Sequence, residues 1–298
     1  MKVLVTGACG LLSRDVTAQL EESHELRLFD RNRPEEARIF KPGVSDGEPA
    51  PFTTPHEFVK GEITDGAAIA GAVQGVDAII HLAASTSGVA EIGQETFKAN
   101  ALGTFIIIDE ARKAGVKRFL CASSINAFGT IYWRISGKPV EYDRMPLDES
   151  FTPVPEDPYS LSKHVNELTC AAFTRAYDIT TAAFRFAGVY SEEAYQSVRQ
   201  NLVPTGGWSD DLFQWVHVKD IARGLQQALE CPSLPEHGVY TLAAADTRCP
   251  EPTMEILERF RPDLAATVAR PLIGRETLMS IDRARETFGY DPQYRLGP

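Results

Sequence analysis

The sequence lacks the long apolar run that a membrane-spanning helix needs. Its apolar stretches fall far short of the roughly 20 residues required to cross a bilayer. It also lacks the basic, apolar and small-residue regions of a cleavable signal peptide, since Met1 is followed directly by a strand-like segment. We therefore expect a cytoplasmic protein that has no membrane partner.

Cysteine pairs and histidine clusters are missing as well. The 5 cysteines form no C-x-x-C pair and are odd in number, which is typical of a reducing compartment rather than of a disulfide framework. The 6 histidines are scattered and do not show the short spacings of zinc sites. We expect neither disulfides nor a bound metal.

Positive charge is in short supply. Lysine and arginine number 30 against 41 aspartates and glutamates, so the net charge is −11 and the isoelectric point is about 5.1. Because so acidic a surface repels phosphate backbones, we expect no nucleic-acid partner. A small anionic substrate stays possible, since a local pocket can be basic. The 298 residues, 43% of them hydrophobic, are typical of a globular protein with a large core.

What the sequence does contain is an alternation of short apolar runs and helix-period segments. Such alternation indicates βαβ units and a parallel sheet with helices on both faces. We predict an α/β fold: a Rossmann-type doubly wound parallel sheet with a small C-terminal substrate lobe. The predicted strands are residues 3–6, 26–29, 76–82, 118–122 and 179–186, and the predicted helices are 11–22, 95–114 and 158–177.

Two stretches depart from this rhythm. Residues 31–55 are rich in proline and predict a long exposed loop. After Gly188 the pattern predicts a short helix within 191–211, a strand-like segment at 212–218, a helix at 220–230 and short elements from Pro232 onward. We predict that residues 1–188 and 213–245 form the dinucleotide-binding domain, and that 189–212 and 246–298 form the substrate lobe.

A glycine-containing turn joins the first predicted strand to the first helix, where residues 6–13 read TGACGLLS. Gly7 permits the tight turn, and Gly10 lets the backbone approach a pyrophosphate at the helix N-terminus. Ser13 stands where a third glycine is usual, and its small side chain should keep the packing with some strain. A glycine pair is weak evidence by itself, but this strand–helix context favours a dinucleotide site.

Asp30 ends the second predicted strand, 20 residues after Gly10. A carboxylate there can accept both adenosine ribose hydroxyls and repels a 2′-phosphate, although it could also be an ordinary loop aspartate. Arg31 and Arg33 follow and could instead accept a 2′-phosphate. We therefore expect NAD in preference to NADP.

Tyr159 and Lys163 lie four residues apart in a predicted helix that Asp157 can cap, so they share one face. A nearby ammonium lowers the pKa of a phenol and makes it a general base, although an amphipathic helix carries such pairs on its surface too. Ser124 lies at the carboxyl edge of the sheet and could bind the reacting oxygen or simply end a turn. Asn100 is a poor helix former within a predicted helix, and is either functional or solvent-facing.

Together these segments resemble the extended short-chain dehydrogenase/reductase superfamily, in its NAD-dependent epimerase/dehydratase branch. The matching segments are TGACGLL, Asp30, GEITD at 61–65, HLAA at 81–84, NALGT at 100–104, Ser123-Ser124 with Phe128-Gly129, YSLSK and WVHVKD at 215–220, all in family order. The resemblance implies a catalytic tetrad and a track of cofactor-binding residues. The tetrad is Ser124, Tyr159, Lys163 and Asn100; the cofactor residues are Gly7, Cys9, Gly10, Leu11, Leu12, Asp30, Glu62, Ile63, Leu82, Ala83, Ala84, Asn100, Tyr159, Lys163 and Phe186.

The resemblance also implies roles for these residues. Lys163 would hold the nicotinamide ribose, and Asn100 would position a water for proton relay. Glu62 and Ile63 would lie near adenine, and Phe186 near the nicotinamide. Two helices often pair across subunits in this superfamily, so the helices from Glu95 and from Pro158 suggest a homodimer.

The sequence departs from the nucleotide-sugar members of this family at three places. Gly188 replaces a usual asparagine, Phe213 stands where an arginine is common, and the C-terminal lobe is short. Short relatives such as the uronate dehydrogenases act on a free sugar acid. We expect a dehydrogenase acting on a sugar, sugar acid or related small substrate; a nucleotide-sugar epimerase or dehydratase that keeps its NAD is the alternative. A non-catalytic NAD sensor is disfavoured, because it has no need of Ser124, Tyr159 and Lys163 together.

Overall fold

The computed structural model describes residues 1–39, 48–130, 134–138 and 140–297. Seven strands form one parallel sheet in the order β3-β2-β1-β4-β5-β6-β7, and this confirms the predicted Rossmann-type fold. The strands are β1 (Lys2–Thr6), β2 (Glu25–Asp30), β3 (Glu57–Lys60), β4 (Ala78–His81), β5 (Arg118–Ser124), β6 (Thr180–Phe186) and β7 (His237–Leu242).

Helices cover both faces of the sheet. The helices are α1 (Leu11–Leu20), α2 (Gly66–Ala72), α3 (Gly93–Phe97), α4 (Gly103–Lys113), α5 (Pro158–Ala176), α6 (Glu192–Gln200), α7 (Val218–Glu230), α8 (Thr253–Phe260), α9 (Pro262–Ala265) and α10 (Asp282–Phe288). Val5 packs in one apolar cluster with residues of α1 and α7, whereas Leu4 packs in another with residues of α2, α4 and α5. Because successive residues of a strand point to opposite faces, β1 anchors both layers.

The centre of the sheet creates the ligand crevice. β1 pairs with β2 on one side and with β4 on the other, so the chain order reverses there. In open α/β sheets, ligands bind beyond the carboxyl ends of the strands at such a reversal. The loops that follow Thr6 and His81 therefore border the expected cofactor site.

Two strands of the seven-stranded sheet escaped the sequence prediction, and both lie at its edges. β3 has no buried residue, so Glu57–Lys60 shows no apolar run. In β7 the first residues alternate between half-buried and buried, so His237–Leu242 shows no continuous apolar run either. Edge strands need less continuous hydrophobicity than central parallel strands, which explains why periodicity missed them.

The predicted loop at 31–55 is partly structured. A 3₁₀ turn spans Pro34–Glu36, and Arg38–Ile39 pairs antiparallel with Glu48–Pro49. The rest of this prediction, residues 40–47, lies outside the described residues. The predicted helix at 95–114 is correct in place but begins at Gly93, and Lys98–Leu102 forms a π-helical turn within it.

The predicted strand at 212–218 is mostly wrong. Only Val216–His217 is a strand, and it pairs with Val189–Tyr190 outside the main sheet. Leu212 and Phe213 have positive φ values of 57° and 53°, so the chain turns there instead. Both side chains are buried, at 0% and 3% exposure. Their hydrophobicity thus reflects a buried turn, which an apolar run alone does not distinguish from a strand.

All 5 cysteines carry free, buried thiols. Among the described residues, no helix combines the length and apolarity that would let it cross a bilayer. The same part of the chain holds no group of three or more histidine, cysteine, aspartate or glutamate side chains suited to a metal ion. The division into two domains stays a prediction, since one apolar cluster includes both Phe184 of β6 and Leu257 of α8.

Candidate active site

The turn between β1 and α1 is shaped to approach a ligand. Gly7 has φ +70°, and a Cβ there would lie 2.7 Å from the Ala83 backbone nitrogen. The Gly10 N–H donates to the Gly7 carbonyl over 2.9 Å. α1 then begins at Leu11 without a side-chain cap, so its first N–H groups stay available to a phosphate. This cradle fits the pyrophosphate of a dinucleotide.

Ser13 takes the place of the expected third glycine without crowding. It is 2% exposed, and its hydroxyl donates to the Gly7 carbonyl over 2.6 Å. The serine therefore replaces close packing by a hydrogen bond that braces the turn.

Asp30 stands opposite that turn at the end of β2. Its carboxylate accepts from the Cys9 N–H over 3.0 Å and from the Asn32 N–H over 2.9 Å. Each carboxylate oxygen keeps a further lone pair, so both ribose hydroxyls can still be accepted. Asp30 thus both fixes the glycine turn and faces the position expected for adenosine.

The other expected cofactor residues line the same edge. Ile63 is buried against α4, where a Cβ on Gly103 would lie 2.8 Å from its Cγ2, whereas Glu62 is exposed. The Leu82 N–H donates to the Thr6 carbonyl, and the Ala83 N–H donates to the Thr6 hydroxyl, each over 3.3 Å. The structure therefore brings the loop after β4 against the β1 turn. Their contacts with a cofactor stay predictions.

The proposed catalytic side chains converge from β5 and α5. Ser124 is the last residue of β5, and its hydroxyl accepts from the Asn126 N–H over 3.1 Å at the end of that strand. Asp157 caps α5 by accepting from the Tyr159 N–H over 2.9 Å, which fixes the first turn. Lys163 follows one turn later and is only 3% exposed. Its Nζ lies 5.6 Å from the Tyr159 ring centroid.

The electrostatics of this group differ from the sequence-based expectation. Burial raises the pKa of Tyr159 to about 12, although the Ser124 hydrogen bond opposes that rise. The Lys163 ammonium donates to the Ala122 carbonyl over 2.9 Å. Burial also lowers the pKa of Lys163. Burial thus dominates the pKa of Tyr159, and the expected lowering of that pKa is not present.

The sequence matches a known protein family and several of its members. The model of the NAD dependent epimerase/dehydratase family matches residues 3–243. The chain belongs to this family. It is 28% identical over 242 residues to a uronate dehydrogenase of Pseudomonas syringae pv. tomato, covering 80% of this chain and 73% of that protein. It is 25% identical over 248 residues to a dTDP-glucose 4,6-dehydratase of Streptomyces niveus, covering 77% and 69%.

Solved structures agree on the fold. A short-chain dehydrogenase/reductase superfamily protein of Agrobacterium tumefaciens with bound NAD has a TM-score of 0.68 and 21% identity, covering 99% of this chain and 94% of its own. UDP-glucose 4-epimerase of Thermotoga maritima with UDP-glucose has a TM-score of 0.68 and 22% identity, covering 99% and 95%. The recognised family and its NAD cofactor thus agree with the cradle described above.

Asn100, the fourth expected catalytic residue, lies in the π-helical turn and is completely buried. Its amide oxygen accepts from the Ser85 N–H over 2.8 Å, and its amide nitrogen donates to the Ser85 carbonyl and the Ser162 hydroxyl, each over 2.9 Å. It therefore ties the loop after β4 to α5 beside Lys163. Its expected role in positioning a relay water stays a prediction.

Two buried polar groups beneath the site were not found from the sequence. His81 bridges the hydroxyls of Thr6 and Thr104, at 2.7 and 3.0 Å, and burial lowers its pKa to about 3. Glu167 accepts two bonds of 2.8 Å from the Arg185 guanidinium. A sequence offers only scattered polar residues here, since the partners are far apart along the chain.

The loop after β6 contains Gly188, where the resemblance predicted an asparagine for nucleotide-sugar members. The Gly188 N–H donates to the Gln214 Oε1 over 2.6 Å. Phe213 is buried in the apolar cluster and offers no charge. Phe186, the expected neighbour of the nicotinamide, pairs with Ser124 across the sheet. The side chain that hydrogen-bonds the backbone of this loop at Gly188 is thus the amide of Gln214.

Proposed function

We propose that this chain is an NAD-dependent dehydrogenase that oxidises a hydroxyl of a sugar, sugar acid or related small molecule. The observation that carries the proposal is the convergence of Ser124, at the end of β5, with Tyr159 and the buried Lys163, whose Nζ lies 5.6 Å from the Tyr159 ring centroid. This group lies at the carboxyl edge of the sheet, next to a cradle that fits a dinucleotide. A binding module without chemistry would not need it.

The side chains divide the work. Ser124 orients the substrate oxygen, and Tyr159 takes the proton of the substrate hydroxyl as the carbonyl forms. Lys163, once it binds a ribose in place of the Ala122 carbonyl, brings positive charge toward the phenol and offsets the effect of burial. NAD, when bound, supplies the acceptor of the hydride that leaves the substrate carbon.

A free sugar or sugar acid is favoured over a nucleotide sugar by the far side of the site. Neither Gly188 nor Phe213 offers the polar side chain found in nucleotide-sugar members. The similarity to a uronate dehydrogenase supports this choice. The similarity to a dTDP-glucose 4,6-dehydratase keeps the nucleotide-sugar reaction as the alternative.

A homodimer is part of the proposal. Leu161 and Leu168 lie seven residues apart on α5 and are 42% and 55% exposed. Leu102, just before α4, and Phe105, in its first turn, are 45% and 49% exposed. Exposed apolar side chains in such a group are typical of an interface. Sedimentation velocity would measure the mass of the assembly directly.

Purification without added cofactor tests the reaction class. The protein is gel-filtered and denatured, and the supernatant is assayed for NAD. We expect an empty protein that binds added NAD reversibly and reduces it in the presence of D-glucuronate or D-galacturonate. Near-stoichiometric NAD surviving the column, with conversion of UDP-glucose, would instead establish the alternative.

A further inference from the structure

The side chain of Gln214 is buried but only half satisfied. It is 2% exposed, and its Oε1 accepts from the Gly188 N–H over 2.6 Å. Its Nε2 donates to no atom in the part of the chain that the structure describes. A buried donor without a partner loses its water and gains nothing in return. Such a donor is a candidate for a bond to a ligand.

The position of this amide links it to the site. Gly188 follows Phe186 by two residues, and Phe186 is paired with Ser124 in the sheet. A Cβ on Gly188 would lie 3.6 Å from Gln214 Oε1 and 3.7 Å from Nε2. The amide therefore lies in contact with the space that a side chain at position 188 would enter, past the strand end at Ser124.

The backbone that carries Gln214 is held firmly. Leu212 and Phe213 just before it both have left-handed conformations, which cost free energy for residues other than glycine. The Phe213 N–H donates to Asp211 over 3.0 Å, and its carbonyl accepts from the Arg248 N–H over 2.9 Å. The strained turn is thereby locked, and it fixes where the amide of Gln214 points.

The surrounding charges are balanced. Asp211 and Arg248 form an ion pair at 2.7 Å, and the Arg248 guanidinium also donates to the Gln214 carbonyl over 3.3 Å. The amide thus sits in a polar but nearly neutral setting. It suits an oxygen acceptor on a sugar or sugar acid rather than a diphosphate.

We propose that Gln214 is a substrate-specificity residue, whose Nε2 donates to a hydroxyl or carboxylate oxygen of the substrate away from the reacting carbon. The proposal rests on the function proposed above. In this proposal the Gln214 amide takes the role of the side chain that Gly188 lacks.

The test compares Gln214→Met with the wild type and with Gln200→Met, a matched control on the exposed end of α6. D-glucuronate, D-galacturonate and UDP-glucose serve as trial substrates. The kinetics are then measured with the substrate that the wild type turns over. We expect kcat/KM of Gln214→Met to fall about 10- to 100-fold, chiefly through KM, with unchanged NAD affinity. Gln200→Met should match the wild type.

A rescue experiment separates recognition from folding. Gly188→Asn combined with Gln214→Ala restores an amide to the same space from the other side. We expect the kcat/KM of this double variant to be at least about 3-fold higher than that of Gln214→Ala alone.

The outcomes are distinguishable. Wild type that turns over no substrate of the panel overturns the proposed function and this inference with it. Active wild type with an unaffected Gln214→Met overturns the inference alone. Loss of NAD affinity together with a lowered melting temperature in Gln214→Met, without rescue by the double variant, would assign Gln214 a purely structural role and also overturn it.

Discussion

The two sides of the crevice are built differently. On the cofactor side, Gly7, Gly10 and Asp30 lie within one βαβ unit, and the bonds that join this turn span 3 and 21 residues of the chain. On the side that we propose for the substrate, the Gly188–Gln214 bond spans 26 residues and the Arg248–Asp211 bond spans 37. The first side is one local unit, whereas the second is assembled from several segments.

We propose that this difference sets where substrate specificity resides. The cofactor side relies on backbone N–H groups and glycine conformations, which leave little freedom to vary. The substrate side relies on side chains set on a strained turn, so that single substitutions can change what is recognised. Fold and cofactor can therefore be shared by relatives that act on different substrates.

Tyr159→Phe tests the boundary between the two sides and should have the largest effect. Removing the phenolic oxygen deletes the proton acceptor, so we expect turnover to fall by about 10²- to 10⁴-fold with NAD affinity unchanged. Steady-state kinetics and a cofactor titration measure both quantities.

Tyr177→Phe is the control, because Tyr177 lies past the far end of α5 and is 45% exposed. It should behave as the wild type. Substantial turnover by Tyr159→Phe would show that the general base has been misassigned.

Glu167→Gln tests the support beneath the substrate side. Burial would raise the pKa of Glu167, but hydrogen bonds from Arg185, His164 and Ser123 outweigh it and lower the pKa to about 2. Its ordinary value is 4.5, so the difference corresponds to about 3 kcal/mol of stability. This stability is complete above pH 4.5 and is lost as pH falls toward 2. The variant should lose it at neutral pH and unfold with less acid dependence.

Denaturant unfolding at several pH values checks this expectation. Asp178→Asn is the control, since Asp178 pairs with Lys117 on the open surface and should leave the unfolding midpoint unchanged. Equal acid sensitivity of Glu167→Gln and the wild type would mean that the buried Glu167–Arg185 pair does not contribute this pH-dependent stability.

Gly7→Ala tests the cofactor side and should have the smallest of these effects. The new Cβ would crowd the Ala83 backbone in a left-handed conformation, so we expect NAD affinity to fall about 10-fold or more. Gly115→Ala is matched, because Gly115 also has a positive φ, of 82°, but has open space around it. It should cost some stability and leave NAD binding intact; equal loss in both variants would remove the argument from close approach.

Prediction from the sequence succeeded where the signal is local. Central parallel strands are continuous apolar runs, and the helix that carries Tyr159 and Lys163 has a capping aspartate and proline at its start. These features depend on residues a few positions apart. For that reason the sheet, its central helices and the shared face of Tyr159 and Lys163 could be predicted.

Prediction failed where distant residues decide. The apolar run at 212–218 begins with a buried turn at Leu212 and Phe213, beside the Asp211–Arg248 ion pair. The edge strand β7 forms because β6 offers it a pairing partner. Likewise, the pKa of Tyr159 depends on burial and on where the Lys163 ammonium lies, and spacing contains neither.

The Rossmann-type sheet, the dinucleotide turn and the family resemblance could be predicted, since each follows from periodicity and short motifs. The folded chain adds contacts that no motif contains: Ser13 braces Gly7, Asn100 holds Ser85, and Gln214 accepts from Gly188. The physical reason is that hydrogen bonds between distant residues depend on how the packed elements meet, and no local pattern records that meeting.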